Sequence, residues 1–307
     1  MQIPEYENYH ETKSHSTPDF PYNAYICSIP LDFEKVPLHW HDEVEIIYIK
    51  KGRGRVTLDF ISLYVEAGDI IIVSPGQLHA IGPAEYSMEY ENIIFSLDLL
   101  CTGSMDALSS EFFEPFLAGT IGFEHLVCCD DEHYPALSSC LNHIDSISSS
   151  FPKGYRLAIK GALFTFFYTI FTNSTDIPAP KNDPHIERLK SVLKYIETHY
   201  MSSISIDEIS AVSGFSASHF MRFFKSAMGT SFTSYLSSYR LSMAARLLLL
   251  TNDSILDIAL SCGYENLSYF NRSFKKRYKK TPSEYRRGRS EERRVGKECR
   301  SRWSPYH

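Results

Sequence analysis

The sequence predicts an α+β protein with two domains, a β-rich N-terminal domain that ends in helices and an all-α C-terminal domain. Short β-rich runs separated by Gly and Pro occupy residues 22–97, a pattern typical of a sandwich or a barrel. Apolar residues recur at helical spacing after about residue 106. The segment HFMRFFKS at 219–226 returns as YFNRSFKK at 269–276, which indicates a duplicated helical unit.

The charge is divided unevenly along the chain. Residues 1–184 contain 10 Lys and Arg against 26 Asp and Glu, whereas residues 185–290 contain 16 against 8. A basic module beside an acidic one points to nucleic acid as the partner of the basic half. We therefore expect double-stranded DNA to bind the C-terminal domain and not the N-terminal one.

The sequence lacks the patterns of membrane and secreted proteins. The most apolar stretch, ALFTFFYTIF at 162–171, is too short to span a bilayer. The N-terminus has no basic start followed by an apolar core. The seven cysteines are scattered and form no C-x-x-C pair, which favours reduced thiols over a disulfide framework or a zinc site. A cytoplasmic protein is expected.

The β-rich region is followed by helices and then by a linker. Residues 106–173 are predicted to be helical, and their last part, GYRLAIKGALFTFFYTIFTN, is apolar on nearly every face. Such a helix is buried, either under the barrel or against a partner subunit. The stretch at 172–184 is rich in Pro, Asn, Asp, Ser and Thr, which indicates a linker. Asp183 and Pro184 then form a helix start.

The duplicated unit has the start and stop signals of two helices joined by a tight turn. In the first copy these are the capping box of Ser205 with Glu208, the stop at Gly214, the cap at Ser216 and the stop at Gly229. The second copy repeats the pattern at an offset of 49 and then 50 residues. Residues 232–250 are predicted to form one connecting helix, because Leu, Ala and Arg favour helices.

The second helix of each copy has two faces. The residues predicted to face the core are Phe220, Phe224 and Ala227, and likewise Phe270, Phe274 and Tyr278. The residues predicted to bind DNA lie on the other face and are Ser218, Met221, Arg222, Lys225, Ser268, Asn271, Arg272, Lys275 and Lys276. Arg can bind guanine, Asn adenine and Lys phosphate. The alternatives are a solvated surface for Ser218 and Met221, and a helix-packing salt bridge for Arg222 and Arg272.

This ordered set of motifs resembles the AraC family of bacterial transcription regulators. The resemblance covers about residues 185–287 and includes GFSASHFMRFFKSAMG, YRLSMAARLLL, IALSCGYENLSYFNRSFKK and TPSEYR. It implies two helix-turn-helix units, joined by a long helix, whose recognition helices enter successive major grooves on one face of DNA. Lys279 stands where the family usually has Gly, and a Lys in a left-handed cap would cost about 1 kcal/mol, so we expect this helix to end differently. Ser210 replaces a usual Ala without changing the expected fold.

The N-terminal half resembles the cupin-type effector domain of many AraC-family regulators. HWHDEVEIIYIKKG places His39, His41, Glu45 and Gly52 in the order of the first cupin motif, and GDIIIVSPGQLH places His79 eleven residues after Gly68, with Ser74 where Pro is usual. The resemblance implies that the three His and the Glu line an effector pocket, with a carbohydrate as the effector. No cofactor is expected, although these four side chains could instead hold a divalent metal ion.

These features predict a DNA-binding transcription regulator that is not an enzyme. The predicted segments are a cupin-like effector-binding barrel at 1–105, a helical dimerisation segment at 106–173, a linker at 174–184, a double helix-turn-helix domain at 185–288 and a disordered or non-native tail at 289–307. Expected partners are DNA, a small-molecule effector, a second copy of the chain and RNA polymerase, with no membrane. The alternatives are a metal-dependent cupin enzyme with an appended DNA-binding module, and an interaction module that has lost its DNA-binding face.

Overall fold

The computed structural model describes residues 20–32, 34–82, 87–101, 107–173 and 183–287. The chain divides into two compact units, with the boundary between Glu187 and Arg188. Most of the predicted linker and all of the predicted tail lie outside the described residues, so those two expectations stay predictions.

The N-terminal unit is built from antiparallel strands in two sheets that share one strand. The strands are β1 (Tyr22–Ile29), β2 (Val36–His39), β3 (Val44–Leu58), β4 (Ile61–Glu66), β5 (Ile70–Val73), β6 (His79–Ile81), β7 (Met88–Phe95) and β8 (Leu126–Val127). The first sheet has the order β1-β7-β3-β5-β8. In the second sheet, the later part of β3 pairs with β4 and β6, and β6 pairs with β2.

Strand β3 passes from one sheet to the other near Gly52. Its register against β7 shifts between Ile49 and Lys51, as at a β-bulge. Gly52 has a φ of 78°, and a Cβ atom at this position would lie 1.9 Å from the carbonyl oxygen of Ser87. Because any side chain here would displace main chain, glycine is what permits the close approach.

The first half of β3 is buried on both faces. Ile47 and Ile49 pack between the two sheets, whereas Val44, Ile46 and Tyr48 pack in a second core together with residues of the helices that follow the sheet. This double burial accounts for the apolar run IIYI, since a strand covered on both sides needs no polar alternation.

Helices cover the outer face of the first sheet. They are α1 (Glu114–Leu117), preceded by a π-helical turn, α2 (Tyr134–Ser148) and α3 (Tyr155–Thr172). Phe166 and Phe167 of α3 are fully buried, and the ring of Phe167 meets that of Phe95 at 6.1 Å between centroids. The apolar character of α3 is thus explained largely by packing on the sheet. Among the residues that the structure describes, no helix combines the length and apolarity needed to cross a membrane.

An ionic cluster fastens α2 to the first sheet. Lys50 Nζ on β3 lies 3.0 Å from Oε2 of Glu91 on β7 and 2.7 Å from Oδ2 of Asp145 on α2. Burial, followed by the neighbouring carboxyl of Asp145, raises the pKa of Glu91 to about 8, although Lys50 acts in the opposite direction. Glu91 is therefore largely protonated near neutral pH, and the charged pair is Lys50 with Asp145.

The C-terminal unit is helical. The helices are α4 (Pro184–His199), which contains the unit boundary, α5 (Ile206–Ser213), α6 (Ala217–Met228), α7 (Phe232–Leu250), α8 (Ile255–Ser261) and α9 (Leu267–Tyr278), and residues 282–287 are also helical. Ser205 and Glu208 form the predicted capping box, and Ser216 caps α6 as predicted. The predicted α+β class, a sheet domain followed by helices and then an all-helical domain, is confirmed.

The expectation that α9 ends differently from α6 is wrong. α6 ends at Gly229 and α9 at Lys279, and both residues have left-handed main chain, with φ of 68° and 58°. The Lys279 N–H donates to the Lys275 carbonyl at 2.9 Å, and its Nζ donates to the Lys276 carbonyl at 3.1 Å. These bonds offset part of the strain of a side chain in this conformation. Ser210, the other departure, is buried and bonds to a carbonyl of its own helix segment.

The strain at Lys279 can be measured by exchanging the two caps. Lys279→Gly should stabilise the protein by about 1 kcal/mol, because glycine adopts left-handed main chain without the clash of a Cβ atom. The reciprocal change Gly229→Lys, where no atom lies within 4 Å of an added Cβ, should destabilise it by a similar amount. Chemical denaturation followed by circular dichroism measures both, and shifts of the same sign would contradict this account.

Glu91 should make stability depend on pH. Its pKa in the folded protein, about 8, lies above the ordinary value of 4.5. The stability linked to its proton is therefore fully present below pH 4.5 and is lost as the pH rises toward 8. Glu91→Gln should flatten the fall in Tm between about pH 5 and pH 8. Glu89→Gln, on the same strand, should keep the wild-type profile, and equal slopes for wild type and Glu91→Gln would refute the role of Glu91.

Candidate effector site and nucleic-acid interface

Four polar side chains converge inside the N-terminal unit, where β2 and β6 meet β3. His39 ends β2, His41 follows it, Glu45 lies on β3 and His79 begins β6. His39 lies opposite His79 in the strand pairing, and Glu45 shares the face of β3 that lies between the sheets, two residues before Ile47. The ligand atoms of the four residues all lie within 4.8 Å of one another. We call these residues the quartet; their convergence is as predicted, and their binding of an effector stays a prediction.

Glu45 is the centre of the quartet. Its Oε2 atom lies 2.8 Å from Nε2 of His41 and 2.9 Å from Nε2 of His79. Each of the four residues is at most 9% exposed. Burial alone would raise the pKa of Glu45, but the adjacent His79 and His41 hold it well below its usual range. Burial, followed by the neighbouring His79, lowers the pKa of His39. The carboxylate is therefore charged and His39 is neutral.

Backbone carbonyls determine the tautomers of the three rings. The Nδ1 atoms of His39, His41 and His79 lie 2.9, 3.1 and 2.9 Å from the carbonyl oxygens of Pro37, Glu43 and Gln77, respectively. A carbonyl oxygen can only accept, so each Nδ1 carries a hydrogen. In a neutral ring Nε2 then bears the lone pair. A hydrogen between Glu45 and Nε2 of His41 or His79 therefore requires that ring to carry hydrogens on both nitrogens, and only such a ring lowers the pKa of Glu45 as a donor. A neutral ring offers Nε2 as an acceptor, so the quartet can accept hydrogens from a bound ligand.

Asp59 holds the loop that leads to His79, and the sequence analysis did not identify it. Its Oδ2 accepts from Gln77 Nε2 at 2.8 Å, and its Oδ1 accepts from the N–H of Leu78 at 3.2 Å. Gln77 Oε1 in turn accepts from the N–H of Ser74 at 3.1 Å. The only local signal was an Asp at a turn between two strands, since its partners lie far along the chain.

The second helix of each helix-turn-helix unit separates a buried face from an exposed one. Phe220 and Phe224 of α6 are fully buried, as are Phe270 and Phe274 of α9. Phe224 packs against Tyr235 of α7 at 5.2 Å between ring centroids. Ala227 and Tyr278, also predicted to face the core, are half-buried.

The predicted DNA-binding residues lie on the opposite face. The exposed ones are Ser218, Met221, Arg222 and Lys225 of α6 with Ser268, Arg272, Lys275 and Lys276 of α9, and Asn271 is half-buried. Within the part of the chain that the structure describes, neither Arg222 nor Arg272 takes part in a salt bridge. The alternative of a helix-packing salt bridge therefore has no support, whereas contact with DNA stays a prediction.

Two exposed ring side chains extend this surface, and the sequence analysis missed both. Tyr269 of α9 is 51% exposed, and its counterpart His219 of α6 is exposed as well. The N–H of His219 donates to the cap Ser216 at 3.4 Å, and that of Tyr269 donates to the cap Asn266 at 2.9 Å. Both thus occupy the first helical turn, from which recognition helices reach base edges. Their equivalent positions in the two copies were the signal that could have identified them.

Both units match known domain families. Residues 31–166 match the family described as AraC-like ligand binding domain, and residues 209–288 match the family described as helix-turn-helix domain. The uncharacterized HTH-type transcriptional regulator YdeC of Bacillus subtilis is 22% identical over 92% of this chain and 97% of that protein. The Transposon Tn10 TetD protein of Escherichia coli is 37% identical over 34% of this chain and 76% of that protein.

Several other matches cover about a third of this chain, with shares of 32–34%. Several further proteins match this chain over only 33–34% of their own length. The crystal structure of a transcriptional regulator from Chromobacterium violaceum, described by its AraC-type DNA-binding domain, is 30% identical over 34% of this chain and 93% of that chain, with a TM-score of 0.33.

The two faces of α9 should contribute differently to stability. Phe274→Ala removes a fully buried ring and should lower the free energy of unfolding by about 3–5 kcal/mol. Arg272→Ala, on the exposed face, should change it by less than about 0.5 kcal/mol. Denaturant unfolding followed by circular dichroism measures both. Comparable losses from the two variants would show that the faces are assigned incorrectly.

Proposed function

This chain belongs to the AraC family of transcription regulators, and from that premise we propose that α6 and α9 read two successive major-groove segments of operator DNA. The protein is a DNA-binding transcription regulator with a ligand-binding domain and is not an enzyme. The observation that carries the proposal is the pair Arg222 and Arg272, which are exposed at equivalent positions of the two copies.

The exposed side chains suit a polyanion that also presents base edges. Arg222 and Arg272 can each donate two hydrogen bonds to O6 and N7 of a guanine, and Asn271 can pair with an adenine. The phosphate-binding residues we propose are Lys225, Lys275 and Lys276, and the remaining members of the surface are Ser218, Met221 and Ser268. The excess of Lys and Arg in residues 185–290, 16 against 8 Asp and Glu, favours the same partner.

Helix α7 is packed into both helix-turn-helix units. Near its start, Phe232 meets Phe224 of the first unit at 5.8 Å between ring centroids, and near its end Leu248 shares a core with Phe274 of the second. Arg240, between them, donates to two backbone carbonyls of the segment after α4, each at 2.7 Å. A helix of 19 residues is about 28 Å long, similar to the roughly 34 Å rise of one DNA turn. These features favour rigid presentation of both recognition helices.

The quartet is our proposed site for the ligand that controls DNA binding. A carbohydrate, the effector that the family resemblance implies, would donate its hydroxyl hydrogens to the acceptors of the quartet. The ligand atoms lie within 4.8 Å of one another, however, so a sugar ring could enter only if these buried side chains moved apart. A smaller ligand suits the site as it stands.

A second copy of the chain is the proposed partner of the helical segment that contains α2 and α3. Leu157 and Tyr168 of α3 are 78% and 68% exposed, and Gly161 and Thr165 lie between them on the same exposed side. Joining two such faces would remove apolar side chains from water. RNA polymerase remains an expected partner of a regulator bound at a promoter.

Footprinting of the full chain on a selected operator tests the reading of DNA. Each wild-type subunit should protect two segments whose centres lie about 34 Å apart. Arg222→Ala should weaken protection of one segment and Arg272→Ala that of the other, by about 1–3 kcal/mol each, because each loses a bidentate base contact. Arg246→Ala, which removes an exposed Arg of α7, is the matched control and should leave both segments protected.

Two outcomes would contradict the proposal. Unchanged protection with both Arg222→Ala and Arg272→Ala would exclude these residues from base contact. Protection of a single segment by each wild-type subunit would show that α6 and α9 do not read DNA together.

A further inference from the structure

The ionic cluster between the first sheet and α2 holds two carboxyl groups against one ammonium group. Lys50 Nζ donates a hydrogen bond to Asp145 Oδ2 at 2.7 Å, and it lies 3.0 Å from Oε2 of Glu91. That oxygen of Glu91 is buried and accepts no hydrogen bond from the residues that the structure describes. The hydrogens of Lys50 are therefore directed at Asp145, and Glu91 is the carboxyl group that lacks them.

Glu91 is also the more buried of the two carboxyl groups. Its side chain is 3% exposed, whereas that of Asp145 is 38% exposed. A buried carboxylate is stable only when it is paired with positive charge and hydrogen-bonded, and otherwise it takes up a proton. Burial, and after it a hydrogen bond with Asp145, raises the pKa of Glu91 to about 8. A protonated Glu91 thus has a hydrogen to donate to the Asp145 carboxylate.

The titratable groups that face Glu91 come from three elements. Lys50 lies on β3, Asp145 on α2 and Tyr22 on β1. Burial, with a smaller effect of the neighbouring carboxyl groups, raises the pKa of Tyr22 and keeps its hydroxyl group uncharged. Tyr48, opposite Glu91 in the strand pairing, turns its ring to Lys50 Nζ at 3.9 Å from the centroid. The balance of charge at Glu91 therefore depends on Lys50 and Asp145.

The cluster meets the last turn of α2. Apolar side chains along this helix, Leu141, Ile144 and Ile147 among them, pack in the core whatever the pH. Asp145 and Ser148 add polar groups to the last turn. The Ser148 hydroxyl is buried and forms no hydrogen bond within the described part of the chain. A change in the charge of Glu91 should therefore act on the end of α2 and not on its whole length.

We propose that Glu91 and Asp145 share one proton beside Lys50, and that loss of this proton to solvent releases the last turn of α2 from the sheet. With the proton in place, the cluster contains one negative and one positive charge and is neutral. Without it, two carboxylates face one ammonium group, and an uncompensated negative charge is left between β7 and α2. Opening of the last turn lets water solvate both carboxylates. The contact is thus closed at lower pH and opens as the pH rises.

This switch gives the helical segment a response to pH, which the proposed function does not include. Helix α3, whose exposed face is the proposed contact with a second copy, shares a core with α2. Release of the end of α2 should therefore weaken self-association as the pH rises. Only this last step rests on the proposed function, since the switch itself lies within one chain.

Hydrogen–deuterium exchange of the full chain at about pH 6 and pH 8 tests the switch. After correction for the intrinsic effect of pH on exchange, the amides of residues 145–149 in wild type should lose protection by at least about tenfold, because each opening releases one proton. Glu91→Gln, which keeps the shape of the side chain and cannot ionise, should be equally protected at both pH values. Glu89→Gln, which removes the partner of Lys51 on the same strand, is the matched control and should behave as wild type does.

Three results would overturn the switch. They are equal protection of the wild type at both pH values, a loss of protection in Glu91→Gln as large as in wild type, and a loss spread evenly over α2 and α3. Asp145→Asn is the second variant if Glu91→Gln does not fold. It leaves Glu91 as the carboxylate that pairs with Lys50, so protection should again be independent of pH over this range.

Sedimentation velocity at the same two pH values tests the effect on self-association. Weaker association of the wild type at the higher pH supports regulation by the switch, and equal association at both would refute it. A monomer at both pH values would refute the proposed contact with a second copy, while the exchange measurements still judge the switch.

Discussion

The N-terminal unit depends on the passage of β3 from one sheet to the other. The first half of this strand is buried on both faces, and its second half pairs with β6, which carries His79. The passage requires the close approach of Gly52 to the Ser87 carbonyl. Glu45 lies on β3 before this point, and the part of β3 that pairs with β6 lies after it. The single strand β3 therefore brings the Glu45 carboxylate and the His79 imidazole to one place.

Strand β3 also carries a polar group on each of its two faces, and the two are neutralised differently. Glu45 lies between the sheets, and Lys50 lies on the side of α2, where Asp145 supplies negative charge and Glu91 adds a largely protonated carboxyl group. The ionic cluster of Lys50, Glu91 and Asp145 contains its own cation, the Lys50 ammonium group. The quartet contains one carboxylate, and Nε2 of His41 and of His79 lie 2.8 and 2.9 Å from it, so its charge is balanced by imidazole rings and not by a lysine.

How far the sequence could predict the structure depended on the distance between interacting residues. The caps of α5 and α6 and the bounds of α7 follow from residues within a few positions of one another, and the structure has them as predicted. The convergence of the quartet could be predicted from a motif. The contacts of Asp59 with Gln77 and of Lys50 with Asp145 could not, since they join residues 18 and 95 positions apart and no periodicity connects them. The end of α9 was predicted incorrectly because conformational preference was weighed without the hydrogen bonds that hold Lys279.

The left-handed cap at Lys279 makes the two copies of the helix-turn-helix unit chemically unequal. The first copy ends its second helix with a relaxed, uncharged Gly229, whereas the second copy keeps a strained residue that adds a cation beside Lys275, Lys276 and Lys280. A more stable cap would lower the positive potential at that end of α9, so folding stability and attraction for a polyanion are opposed at one position. The second copy thus presents one more positive charge at the end of its second helix than the first copy does, so the two halves of the duplication are not electrostatically equivalent.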